Sequence, residues 1–158
     1  MEIKKYSFRD GFGWRVDPET AGKHLDGLAQ QRGGDLTPEI VVNDAADPDS
    51  PIHRCFDWDN DKAGDKWRLH QARQLIGSII VEVTVKDTEH VRAFININYP
   101  DSKDRHYVNI IDAASDEHKM KLIIDDARKQ MRSWSQRFKI YQQLREVALK
   151  VEELAETF

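Results

Sequence analysis

Apolar residues recur with two different periods in this chain. Up to about residue 76, and again from 115 onward, they return every three or four positions, the spacing of one helix face. In between they alternate with polar residues, the spacing of a strand buried on one side. Asp17-Pro18 is a helix start, an Asp cap followed by Pro at the first helical position. Ala21, Leu25, Leu28 and Ala29 then share a face, and Gly33-Gly34 ends the helix. Thr37-Pro38 repeats the start signal for a shorter helix carrying Ile40, Val41 and Ala45, and Asp47-Pro48-Asp49-Ser50-Pro51 breaks it. Residues 51–58 are read as a short helical turn that plugs Ile52, Phe56 and Trp58 into the core. Asp59, Asn60 or Asp61 caps a third helix running to about Ile76, with Ala63, Trp67, Ala72, Leu75 and Ile76 as its apolar positions. Tyr6, Phe8, Phe12 and Trp14 around Asp10-Gly11 predict a short hairpin or an extended arm at the N-terminus.

The alternating region holds three runs. Ile79, Val81, Val83 and Val85 form the first, Val91, Ala93, Ile95, Ile97 and Tyr99 the second, and Tyr107, Asn109 and Ile111 the third. Their connectors are short, so a three-stranded antiparallel meander is expected. Ser115 is placed to cap the next helix. Met120, Ile124, Ala127, Met131, Trp134, Phe138 and Tyr141 repeat at near-heptad spacing and fall within an arc of about 100°. Leu144, Val147, Ala148, Val151 and Leu154 lie on a face turned by more than about 90° from that arc. Either the chain breaks near 141–145 or its last segment packs on a different neighbour, so both one helix and two are open. The expected fold class is α+β: N-terminal helices, a three-stranded antiparallel meander and a long C-terminal helix or helix pair. The expected domains are 1–112 and a helical arm, 113–158.

Composition narrows the function classes. The chain has 158 residues, 24 Lys+Arg against 28 Asp+Glu, a net charge of −4 and 33% charged residues. That balance argues against a histone-like basic protein. The 9% aromatics and the long periodic patterns argue against disorder. No apolar run approaches the roughly 18 residues of a membrane span, and no signal peptide is visible, so no membrane partner is expected. Cys55 stands alone and forms no internal disulfide, which fits a reducing, cytoplasmic setting.

Candidate chemistry is sparse. The two helices of residues 18–46 invite a helix-turn-helix reading, but the second offers Glu39, Asn43 and Asp44 and no basic residue. Phosphate repulsion opposes docking by such a helix, and an ordinary helical hairpin is favoured. Asp57, Asp59 and Asp61 resemble the opening of a calcium loop, but its glycine and glutamate positions hold Lys62 and Arg68. His53, Cys55 and His70 lack the paired spacing of a zinc site. A buried, inert Cys55 is favoured over a nucleophile. No phosphate loop, dinucleotide fingerprint or nucleophile elbow is present. No catalytic residue, metal or cofactor is therefore assigned, and a non-enzymatic protein is expected.

The one charge feature is Arg128, Lys129, Arg132, Arg137 and Lys139, five basic residues with no acid among them, beside the apolar stripe. They form either a solvated flank or a docking strip for nucleic acid or an acidic partner. The acid-rich stretch from Glu39 to Asp65 is one such partner within the chain. Ser50-Pro-Ile-His-Arg-Cys-Phe56-Asp-Trp58-Asp, with Ala63, Arg68 and Gln71-Ala-Arg73-Gln-Leu-Ile76, resembles a group of small phage- and prophage-encoded proteins of uncharacterised function. Leu36-Thr-Pro-Glu-Ile-Val, Tyr107-Val and the region around Trp134 belong to the same resemblance. It implies a bacterial host cell and transfers no site residue. The expected function is a binding or assembly module that forms homo-oligomers through Met120 to Tyr141, with the basic strip as partner surface. The alternative is a helix-turn-helix-like DNA-binding regulator using residues 18–46.

Overall fold

A computed structural model describes residues 3–60, 64–84 and 86–158. The chain is α+β and divides into two compact units, Met1–Ser115 and Asp116–Phe158.

In the N-terminal unit, local signals set the first helices. In α1 (Pro18–Gln30) the Asp17 carboxylate accepts the Thr20 N–H at 2.9 Å. In α2 (Pro38–Ala45) the Thr37 hydroxyl accepts the Ile40 N–H at 3.3 Å. Gly33 and Gly34, at φ of 69° and 92°, turn the chain after α1. One turn of 3-10 helix, His53–Cys55, seats Ile52 and Phe56 in the core as expected. Helix α3 runs Gly64–Ser78. Of its expected caps Asp59, Asn60 and Asp61, the last lies outside the described residues, as does its expected apolar position Ala63. Trp67 is not a core residue: it is 49% exposed. The buried side of α3 is Arg68, Ala72, Leu75 and Ile76, and Trp67 sits about 100° away from that seam. Arg68 takes the buried place because its guanidinium donates to the Asp57 carbonyl (3.3 Å), Asn60 (3.1 Å) and Asp65 (2.7 Å) and lies over the Trp58 ring.

The strands are shared between two sheets rather than one meander. In the first sheet, β1 (Ile3–Phe8), β3 (Ile79–Thr84) and β4 (Thr88–Arg92) lie antiparallel with β3 central. In the second, β2 (Asp35–Leu36), β5 (Phe94–Ile97) and β6 (His106–Asn109) lie antiparallel with β6 central. The N-terminal segment is thus an edge strand of the first sheet. Ala93 divides the second alternating run. Its N–H donates to Ile79 (3.0 Å) while its C=O accepts from Ile110 (3.0 Å), so the chain leaves one sheet and enters the other at this residue. Ala93 and Phe94 are both buried, which breaks the period of two and leaves Ile95 only half-buried. The third run also ends early, because Ile110 begins α4 (Ile110–Ser115).

Phe94, Leu25, Leu36, Ile52, Leu75, Ile76 and Ile79 fill the core, each under 2% exposed. Tyr6 lies so close to α1 that a Cβ at Gly22 would stand 2.3 Å from its ring. The Tyr6 N–H donates to Glu19 at 3.0 Å, and the Trp14 indole N–H donates to the Ser78 hydroxyl at 3.0 Å.

The C-terminal unit is a helical hairpin. Its first helix, α5, spans Glu117–Phe138, and its second, α6, spans Arg145–Thr157. Asp116, not Ser115, caps α5 by accepting the Lys119 N–H at 2.9 Å. Ser115 donates back to Ile111 and Asp112. The chain breaks between residues 139 and 144, so the C-terminal region is two helices, and Tyr141 lies in the turn.

Candidate functional site

The seam between α5 and α6 is polar. Arg132 Nε lies 2.7 Å from Glu156, Lys139 Nζ lies 3.6 Å from Glu152, and Ser135 donates to Glu152 at 3.4 Å. This pairing order makes the helices antiparallel. The hydrogen bond between Arg132 and Glu156 raises the guanidinium pKa and lowers the carboxyl pKa. Ser135, Ala148 and Ala155 are the buried residues of the hairpin, small side chains that bring the two backbones together.

This seam accounts for much of the basic strip. Arg132 and Lys139 pair with glutamates of α6. Arg128 lies 3.4 Å from Asp125 and over the Phe158 ring at 5.2 Å. Arg137 is exposed and lies over Phe138 at 5.6 Å; Lys129 is also exposed. Of the five, Lys129 and Arg137 are exposed, whereas Arg128, Arg132 and Lys139 are half-buried and ion-paired.

The apolar stripe sits elsewhere on α5. Counting about 100° per residue, its centre is turned by about 90° from the seam residues Arg128, Arg132, Ser135 and Lys139. On α6, Leu144, Val147, Val151, Leu154 and Phe158 are turned by about 100° in the same rotational sense from Ala148, Glu152 and Ala155. In antiparallel helices, equal rotation from a shared seam points both arcs to the same side. The two arcs that look unrelated in one straight helix become one apolar face two helices wide. Met131, Trp134 and Val151 line a groove of about 510 Å³ together with Lys129, Gln130, Ser133 and Arg137. Trp134 and Phe138 are in ring contact, centroids 4.9 Å apart, and Tyr141 follows at 6.3 Å from Phe138.

Met120, Ile124, Ala127, Met131, Trp134 and Phe138 are half-buried and Tyr141 is exposed. Ile140, Leu144, Val147, Leu149, Leu154 and Phe158 are also exposed. Among the described residues of the N-terminal unit, Trp67 is the one large hydrophobic side chain in that class. The α5 arc is visible in sequence spacing alone. The α6 arc is not joined to it there, because only the turn geometry does so.

The other candidates are occupied by structural work. Asp44 accepts from Ser50 (2.7 Å) and meets His24 Nε2 at 2.6 Å, so the α2 side chain nearest to chemistry is spent within the fold. His53 bonds the Ala45 carbonyl at 2.6 Å and stacks on Trp58. Cys55 is buried, and burial pushes its thiol up to about 11, leaving it protonated at neutral pH. Asp57 accepts the Asp59 N–H in a local turn. Among the described residues, no three His, Cys, Asp or Glu side chains are grouped to hold a metal ion. No helix among them is long and apolar enough to cross a membrane.

Compared with family models, curated proteins and solved structures, the chain matches none of them.

Proposed function

We propose that this protein is a non-enzymatic assembly module that self-associates through the apolar face of its C-terminal hairpin. The observation that carries this reading is the concentration of exposed large hydrophobic side chains on residues 140–158 beside a half-buried stripe on α5. Two helices cannot bury such a face between themselves, and stable helical bundles supply a second layer for it.

The favoured occupant is a second copy of the same hairpin. The N-terminal unit seals its own apolar residues and, among the described ones, leaves only Trp67 as a large exposed hydrophobic. The matching apolar face available in this chain is therefore another hairpin's. Charge permits the pairing: residues 116–158 carry nine basic and eight acidic side chains, so two copies do not repel. Helix α6 is about 20 Å long and two helices are about 20 Å wide. Allowing for side-chain relief, such a layer buries about 1,200 Å² over both copies, the lower end of stable interfaces. A two-fold axis would complete a four-helix bundle. A phage or prophage setting, implied by the sequence resemblance, suits a small scaffold of this kind.

A helix-turn-helix role for residues 18–46 has less support, because α2 presents no basic residue and Asp44 is engaged. Val147→Glu with Leu154→Glu tests the main reading, since both side chains are exposed and lie outside the buried seam of Ser135, Ala148 and Ala155. Light scattering across concentrations is expected to give a dimer for the native chain and a monomer for the double variant. An equal mass for both overturns the proposal.

A further inference from the structure

The exposed Trp67 stands off the buried side of α3 formed by Arg68, Ala72, Leu75 and Ile76. At about 100° per residue, Lys66, His70 and Arg73 fall in a line along that side, with Gly77 at its end and Trp67 and Gln74 beside it. The indole stacks on the His70 imidazole, centroids 5.4 Å apart and planes 28° from parallel. Gly77 puts no side chain on the line, and a Cβ there would lie 3.9 Å from a terminal nitrogen of Arg92. Arg92 of β4 thus continues the row of cations where the helix leaves a gap. From Lys66 to Gly77 the row is about 16 Å long.

The charges on this row are available. No acid occurs between Asp65 and Glu82, and Asp65 lies 2.7 Å from Arg68. Lys66, Arg73 and Arg92 form no ion pair among the described residues, whereas the neighbouring Arg68 does. Arg73 is half-buried; its Nε is buried without a hydrogen-bond partner among the described residues, so only its terminal nitrogens can reach a phosphate. A row of free cations follows a polyanion, and a stacked, solvent-facing indole offers a platform for a planar ring. A duplex hides the faces of its bases, whereas a single strand presents them. An acidic peptide would use the cations but would leave the indole without a role.

We propose that the outer face of α3 binds single-stranded nucleic acid, with Lys66, Arg73 and Arg92 on phosphates and Trp67 stacked on a base. This assignment stands apart from self-association and places nucleic-acid contact on neither α2 nor the basic strip of α5.

Fluorescence anisotropy of labelled twelve-nucleotide oligo-dT and oligo-U against the intact protein tests it. Three phosphate contacts predict a loss of about 20-fold in affinity between 50 and 200 mM salt. Trp67→Ala is expected to weaken binding about tenfold, with Trp67→Phe retaining most of it. Lys66→Glu with Arg92→Glu is expected to abolish binding at the higher salt. All these positions except Arg73 are exposed, and circular dichroism checks that each variant keeps its fold. Absence of binding at 50 mM salt, an unchanged affinity in Trp67→Ala, equal binding to a duplex, or equal competition by a poly-glutamate peptide each overturns the proposal.

Discussion

In the N-terminal unit, Phe94, Leu25 and Ile76 are sealed from water, whereas the residues of the hairpin that reach full burial are Ser135, Ala148 and Ala155. The first unit packs helices on sheets and closes a core within one copy. The second is a helical hairpin whose seam carries ion pairs and whose large apolar side chains from residue 140 onward are exposed or half-buried. Burial of apolar area is the main favourable term in folding, so the two units draw stability from different sources. The first carries its own; if a second copy completes the layer as proposed, the second gains from that copy, and the gain depends on concentration.

The largest expected effect probes the sealed unit. Phe94→Ala removes a ring that is 1% exposed and is expected to cost about 3–5 kcal/mol in urea unfolding, at any protein concentration. A concentration-dependent cost would erase the contrast between the units.

Alkaline pH comes next. Burial first, then the Asp26 carboxylate, pushes the Tyr6 phenol up to about 12 from 10.0. The unfolded chain loses this proton first, so the native state binds more protons and stability falls as pH rises. The contribution is complete below pH 10 and disappears as pH passes 12, about 2–3 kcal/mol in all. Burial of the Cys55 thiol acts in the same direction between pH 9 and 11. Urea midpoints measured from pH 8 to 11 check the fall, and a rise would contradict it.

Gly22→Ala improves intrinsic helix propensity yet places a methyl 2.3 Å from the Tyr6 ring. We expect a net loss of about 1–3 kcal/mol by the same assay, since overpacking outweighs propensity. A gain in stability would mean that β1 can move away from α1. The smallest effect is expected for Arg132→Ala, which removes an exposed pair with Glu156 on the hairpin seam. It should leave the urea midpoint of the N-terminal unit in place and change the dimer mass little. A large change would show that the seam, not the apolar face, holds the hairpin.

Much of this architecture is readable in the sequence because its causes are local. Asp17-Pro18 and Thr37-Pro38 start helices through capping bonds three residues away, and the α5 stripe is a property of spacing alone. The second sheet is hidden because apolar alternation runs through Ala93 without a break in composition, while the decision to change sheets rests on bonds to Ile79 and Ile110 far along the chain. Trp67 is misplaced by its residue type, which argues for burial, and only the competition with Arg68 for one helix side reverses it. Composition leaves the basic strip open between a solvated flank and a docking strip. The turn at 139–144, which spacing does not reveal, brings Glu152 and Glu156 to Lys139 and Arg132.

Sedimentation equilibrium of the intact chain decides whether the hairpin pairs with a second copy. Self-association predicts that the fitted mass rises with concentration from 18.4 kDa towards twice that value. It further predicts that Val147→Glu with Leu154→Glu holds it at one copy. A single-copy mass for the native chain across the micromolar range would contradict it.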